Sequence, residues 1–253
     1  MKVRSYGDTD RGVVRPTNED ALLLAADIGL FVVCDGVGGR VAGDVASSHS
    51  VQVIETAVRR GLGLGPLAPV DDSSEELCEQ RHAQLLEILR KAFQQANDEL
   101  HALGAEQPAL HGLCTTASAL LLDGAHALVA HVGDSRIYRL RGHTIQQLTL
   151  DHTLAAWAAE GGVSSASAAR LSGLTEALGI REKVRIDLER IEVVTGDRFL
   201  LCTDGLHAHR DDDPALLDLL GGSAEEVIPR TIKLARARGC DDNVTAAVII
   251  CED

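Results

Sequence analysis

Two apolar runs in this chain stop on the same dipeptide. Phe31-Val32-Val33-Cys34 is followed by Asp35-Gly36-Val37-Gly38-Gly39, and the run ending at Cys202 is followed by Thr203-Asp204-Gly205. Four apolar residues in a row predict a short buried strand. Each strand delivers a carboxylate to its end, where glycine lets the backbone turn sharply or approach a ligand closely. From Ala42 the apolar spacing turns helical (Val45, Val51, Ile54, Val58), which places Asp35 at a strand-to-helix junction. A charged residue ending an apolar strand beside bare backbone suits a bound cation. A tight turn in which Asp35 caps the next helix is the plainer alternative, and this stretch alone leaves both open. Two phosphate-binding loops are excluded. No Gly-Lys-Ser/Thr follows the glycines, and Val41 stands where a G-x-G-x-x-G fingerprint needs its last glycine.

Composition narrows the partners. With 45% hydrophobic and 25% charged residues, the 253-residue chain can build a sizeable core, and its 2% aromatic content makes that core aliphatic. Few rings remain to stack on bases. Acidic residues outnumber basic ones 38 to 24, a formal charge of −14, so nucleic acid and anionic membranes are disfavoured partners. Any phosphate site on such a surface needs local cations, and metal ions would supply them. The six cysteines include no CxxC pair and fit neither a zinc pattern nor a disulfide framework. They read as reduced thiols in a cytoplasmic protein; neither a signal peptide nor a membrane-spanning run is visible.

Along the chain, Arg15-Pro16-Thr17-Asn18-Glu19-Asp20 leads into an apolar strand, Ala21–Leu24. A Glu-Asp pair in such a place is most simply a pair of solvated loop charges. Residues 42–60 are expected to form a helix ending at Arg59-Arg60-Gly61, then a loop to Ser74 and a long amphipathic helix over Glu75–Leu103. Its His82 and His101 are expected at the surface rather than as ligands. Strands are predicted at Cys114–Leu122, Ala125–Val132, Arg136–Arg141 and Thr144–Leu148, joined by turns short enough for antiparallel hairpins. The turn Gly133-Asp134-Ser135 puts another carboxylate at a strand end, though an Asp there often bonds its own backbone. Residues 151–180 break the pattern as a small inserted flap with helices at Thr153–Glu160 and Ser164–Leu171; His152 there is expected to be structural. Strands resume at Arg185–Val193 and Arg198–Cys202. Asp211-Asp212-Asp213 opens a helix, Ala224–Arg238 forms the last one, and Asp242-Asn243 enters the final strand, Val244–Cys251. Nothing splits the chain, so residues 1–253 are expected to form one domain.

Glu19-Asp20, Asp35, Asp134, Asp204 and Asp242 are thus all acidic groups at strand ends. Gathered together they would repel one another unless cations intervened. Oxygen donors suit hard divalent ions such as Mg²⁺ or Mn²⁺ rather than zinc.

The blocks Arg15-Pro-Thr-Asn-Glu-Asp20, Asp35-Gly-Val-Gly-Gly39, Thr115-Thr116, Val132-Gly-Asp-Ser-Arg136, Thr203-Asp-Gly205 and Asp242-Asn-Val-Thr245 resemble, in order, those of the metal-dependent protein phosphatases. These are the type 2C serine/threonine phosphatases, and the likeness is to their compact bacterial members. The resemblance implies an α+β fold, an α-β-β-α sandwich of two antiparallel sheets flanked by helices. It implies that Asp35 bridges two Mg²⁺ or Mn²⁺ ions, with the Gly36 carbonyl on one and Asp204 and Asp242 completing the other. Glu19 would hold an ion through water, Arg15 would bind the substrate phosphate, and Asp134 with Asp204 would hold a third, weaker ion. Asp20 and Asn243 would support these ligands from behind.

The implied reaction is hydrolysis of phosphoserine and phosphothreonine in proteins, by a metal-bridged hydroxide attacking phosphorus without a phosphoenzyme. The partners implied are phosphoproteins and a cognate Ser/Thr kinase, with the enzyme a monomer. A catalytically weak pseudo-phosphatase that binds phosphoproteins is the alternative. Departures from the family pattern are Val37 and Arg40 where relatives carry histidine, Cys114 for glycine, and Glu176 where arginine is common. Val37 leaves no side chain to protonate the leaving group, which falls to water.

Overall fold

The structure is a computed structural model that describes residues 1–37, 42–63, 75–162, 173–207 and 221–253. Its strands are β1 (Lys2–Asp10), β2 (Asp20–Ala25), β3 (Leu30–Asp35), β4 (Ala117–Asp123), β5 (His126–Val132), β6 (Arg136–Arg141), β7 (Thr144–Gln147), β8 (Asp187–Glu192), β9 (Arg198–Cys202) and β10 (Val244–Glu252). Its α-helices are α1 (Gly43–Gly61), α2 (Glu75–Glu106), α3 (Leu154–Glu160), α4 (Asp204–His207) and α5 (Ala224–Ala237).

The strands form two five-stranded antiparallel sheets, in the orders β1-β10-β9-β6-β7 and β2-β3-β4-β5-β8. Strand β1, for which the sequence pattern carries no apolar signal, pairs with β10 along its whole length at the edge of the first sheet.

Three hydrophobic cores make the layers. Alternate residues of each strand face opposite sides of a sheet. Phe31 and Val33 of β3 meet Phe199 and Leu201 of β9 and Ala247 and Ile249 of β10 in the core between the sheets. Leu30, Val32 and Cys34 turn the other way, onto α1 and α2. Leu200, Val248 and Ile250 likewise turn outward onto α5. The result is a four-layer α-β-β-α sandwich, as the resemblance implied. Burial of each such aliphatic contributes roughly 1.5–3 kcal/mol, so layered aliphatics hold the sheets with few rings to help.

Local signals place the helices. Helix α5 starts with a capping box in which Ser223 and Glu226 satisfy each other's backbone N–H groups. The Thr153 hydroxyl caps α3 by accepting from the Ala156 N–H.

One expectation is corrected here: His82 is buried, at 1% exposure, because α2 lies against the second sheet with that face inward. His101 is exposed, as expected. Residues 38–41, most of the loop before Ser74, the helix over Ser164–Leu171 and the Asp211-Asp212-Asp213 helix lie outside the described residues. No helix of the described residues is long and apolar enough to cross a membrane.

Candidate metal centre

Strand period explains why the acidic residues meet. Asp35 has the parity of Phe31 and Val33 and therefore points into the gap between the sheets, at the strand's end. Asp20 stands directly across from it in the β2–β3 register. Thr203 continues the parity of Phe199 and Leu201, and Thr245 that of Ala247 and Ile249. The inter-sheet core thus ends in a polar rim contributed by both sheets.

The rim is tightly bonded. The Asp35 backbone N–H donates to Thr116 Oγ1 (2.9 Å), and its carbonyl accepts from the Thr116 N–H (2.9 Å) and the Thr115 hydroxyl (2.8 Å). Thr116 Oγ1 also pairs with Ser135 Oγ at 2.7 Å, which ties Asp35 to the Asp134 turn. Asp20 Oδ2 accepts from both the Thr203 hydroxyl (2.9 Å) and the Thr245 hydroxyl (2.6 Å), so it straps the two sheets together.

Asn243 organises the opposite wall. Its side-chain oxygen accepts from the Glu19 N–H (2.9 Å), and its amide donates to the carbonyls of Arg11 (2.8 Å) and Thr17 (2.9 Å). That clamp brings the segment carrying Arg15 over the site, where Arg15 Nη2 donates to Asp242 Oδ2 at 2.6 Å. The Asp134 carbonyl accepts from His207 Nε2 (2.9 Å), which fixes the turn against α4.

Two glycines are dictated by these contacts. A Cβ on Gly36 would stand 2.2 Å from the Gly43 carbonyl oxygen, and one on Gly205 would stand 1.9 Å from that of Asn243. Neither position has room for a side chain.

Arg15, Asp35, Asp134, Asp204 and Asp242 line one cavity of about 420 Å³, whose wall also includes Thr116, Val37, Leu174 and Ile180. Glu19 lies at its margin, its carboxylate against Gly43 at the start of α1. Asp20 and Asn243 stand behind the wall. The alternative of solvated loop charges therefore fails for Asp20, which is buried. His152 is structural as expected: it accepts from the Gly133 N–H at 3.2 Å and pairs with Asp187 at 3.0 Å. Thr116, Ser135, Thr203 and Thr245 stand in the sequence blocks, but the blocks assign their hydroxyls no role. Their signal was present, since each continues the inward parity of its own strand.

Electrostatics mark the cavity as short of positive charge. Burial, followed by repulsion from Asp20 and Asp204, pushes the Asp35 carboxyl well above the usual carboxylate range. Burial and then Asp204 raise Asp134 to about 7. Burial raises Asp20 to about 7 against the pull of its two threonine hydrogen bonds. Asp204 is raised by burial and by Asp242. Burial opposes the charge of Arg15, but Asp242, Glu19 and Asp204 together outweigh it and raise its pKa.

Arg15 is the one basic side chain among the described residues of the wall. One Asp204 oxygen is buried with no hydrogen-bond partner, an acceptor left for a ligand outside the protein. The donors are all oxygens, which fits hard divalent cations. Among the described residues no three of these carboxylates bring oxygens within 4.8 Å of one another; they are spread around the cavity wall.

Comparison with known proteins identifies the family and fold. The family model described as Protein phosphatase 2C matches residues 15–237. The chain is 34% identical over 252 residues to the serine/threonine protein phosphatase PstP of Mycobacterium tuberculosis, covering 98% of this chain but 45% of that protein. It therefore spans about half the length of that relative. It is 31% identical to the serine/threonine phosphatase stp of Listeria monocytogenes, over 95% of this chain and 93% of the other. Among solved structures it is similar to the catalytic domain of the phosphatase PstP in complex with two manganese ions, with a TM-score of 0.79, 32% identity and 99% of each chain covered. The family model over residues 15–237 and the relatives at 31–34% identity together show that the chain belongs to the protein phosphatase 2C family.

Proposed function

We propose that this chain is a Mg²⁺- or Mn²⁺-dependent protein serine/threonine phosphatase that hydrolyses phosphoserine and phosphothreonine in proteins. The observation that carries the reading is the cavity itself: Asp35, Asp134, Asp204 and Asp242 face one arginine across it, with a buried Asp204 oxygen unclaimed. Asp35, the Gly36 carbonyl, Asp204 and Asp242 would hold two ions, Glu19 would support one through water, and Asp134 with Asp204 would take a third. When bound, the ions supply Lewis acidity and lower the pKa of coordinated water, at neutral pH, for in-line attack on phosphorus.

The protein's own groups do the positioning. Arg15 presents two parallel N–H donors to the phosphoryl oxygens while Asp242 holds its guanidinium in place. Thr116 fixes the backbone of Asp35 from both sides, which keeps that carboxylate aimed into the cavity. Val37, Leu174 and Ile180 give the cavity an apolar lip against which a peptide can seat. Val37, which stands where relatives carry histidine, cannot donate a proton, and protonation of the leaving serine or threonine is assigned to solvent.

The inter-sheet core shared by both sheets supports reading the chain as one catalytic domain. The relatives' organisms support a bacterial setting, and six unbridged cysteines support the cytoplasm, opposite a Ser/Thr kinase. The residues whose loss would mark a non-catalytic binder, Arg15, Glu19, Asp35, Asp204 and Asp242, are all present. The test is release of phosphate from a phosphothreonine peptide with Mn²⁺, with and without chelator. Chelator-sensitive release is expected, and binding without release would overturn the proposal.

A further inference from the structure

Away from the acidic cavity, the described residues hold a second group of convergent donors of different chemistry. Cys78 and His82 lie one turn apart on α2, and His126 opens β5; one ligand atom from each falls within 4.8 Å of the others. Cys78 Sγ is 3.7 Å from His82 Nδ1, and the two imidazole centroids are 4.3 Å apart. A tetrahedral zinc ion with Zn–S of about 2.3 Å and Zn–N of about 2.0 Å has ligand-to-ligand edges of roughly 3.5 Å. The sulfur-to-nitrogen edge is already close to that length.

The surroundings orient His82 for such a role. Arg190 Nη1 lies 3.2 Å from His82 Nδ1 and can only donate, so Nδ1 offers its lone pair toward a cation. Asp123 Oδ2 lies 3.6 Å from Nε2, longer than a hydrogen bond but on the side from which carboxylates support metal-bound histidines. Asp123 is itself buried and held by two 2.7 Å hydrogen bonds from Arg81. Arg190 is the movable member: its side chain is 37% exposed and its other polar contact among the described residues is Glu79, at 3.5 Å.

We propose that Cys78, His82 and His126 form a separate site for Zn²⁺, or a similarly thiophilic ion, that pins the start of α2 to the β4–β5 hairpin. On binding, Arg190 swings away from His82 Nδ1, the Cys78 thiol gives its proton to solvent, and water completes the tetrahedron. Sulfur and imidazole donors keep this site distinct from the all-oxygen centre, which takes harder ions.

The other five cysteines are buried, so Cys78 is the thiol open to reagents. The test treats the chelator-stripped, reduced protein with iodoacetamide, with and without Zn²⁺, and maps the alkylated cysteine by mass spectrometry. Alkylation at Cys78 is expected, slowed tenfold or more by one equivalent of Zn²⁺ and unaffected by Mn²⁺. Added Co²⁺ should give a thiolate-to-cobalt charge-transfer band that Zn²⁺ abolishes. The band should be absent in Cys78→Ser and at least tenfold weaker in affinity in His126→Asn. Unchanged alkylation in the presence of Zn²⁺, or a cobalt–thiolate band that persists in Cys78→Ser, overturns the proposal. The wild-type alkylation result decides the matter even where a variant fails to fold.

Discussion

Asp20 and Asp35 are direct cross-strand partners at the end of the β2–β3 pair, yet they serve different surroundings. Asp35 lines the cavity, whereas Asp20 turns to Thr203 and Thr245 of the opposite sheet. One register position therefore supplies both a group for the centre and the strap that holds its two sheets in place.

Removing the strap has a cost. Asp20→Ala leaves the buried hydroxyls of Thr203 and Thr245 without their shared acceptor, a loss of about 1–3 kcal/mol. Asp20→Asn keeps an acceptor oxygen and should lose less than half of that. Guanidinium denaturation of the metal-free proteins measures both, and an Asp20→Ala variant as stable as wild type would show that the strap carries no weight.

The carboxylates of the centre oppose each other without ions. Asp35→Asn and Asp204→Asn should abolish metal-dependent turnover with the fold intact. At mildly alkaline pH the metal-free variants should melt higher than metal-free wild type, because each removes a buried repulsive charge. The rise in Tm that Mn²⁺ gives wild type should shrink in both. Full turnover in either variant would refute the assignment.

Arg15 meets its substrate through geometry as well as charge. Arg15→Lys keeps the charge but loses the fork, so KM for a phosphothreonine peptide should rise about tenfold or more, with a smaller fall in kcat. Steady-state kinetics at saturating Mn²⁺ check this. A change confined to kcat would place Arg15 elsewhere in the reaction.

Proton linkage gives a signed pH effect. Asp134 and Asp20 rise to about 7 from an ordinary carboxylate value of 3.8, so between about pH 4 and about pH 7 the folded, metal-free protein holds protons that the unfolded chain releases. Their contribution to stability is full at low pH and is lost as pH rises through about 7. Buried His131, held down to about 4, acts in the opposite direction between about 4 and 6.5. The informative quantity is therefore the Tm of wild type minus that of Asp134→Asn, which should decline from about pH 5 to about pH 8. Asp134, as a proposed ion ligand, must be ionised to bind, so Mn²⁺ affinity by calorimetry should weaken as pH falls below about 7.

The sequence made the acidic set visible because each member ends an apolar run or follows a turn glycine. The layers were legible only through the resemblance. Strands such as β3 are buried on both faces, so the alternation between Phe31-Val33 and Leu30-Val32-Cys34 is hidden under uniform hydrophobicity. The same uniformity hid the role of Thr203 and Thr245, whose parity matters only once the two sheets are known to face each other. Strand β1 was opaque because an edge strand of mixed polarity gives no pattern of its own. His82 shows why burial is hard to read here: a histidine on an amphipathic helix looks alike in sequence whether it meets water or a neighbouring hairpin.

Strand β10 lies between β1 and β9, and Asp242 and Asn243 immediately precede it. A ribosome must therefore make nearly all of these residues before the loop bearing Arg15 has anything to clamp it. A nascent chain presents its early aspartates unmatched. Capture of ions at the proposed centre would then await the docking of segments far apart in the chain, the loop bearing Arg15 and the residues that enter β10.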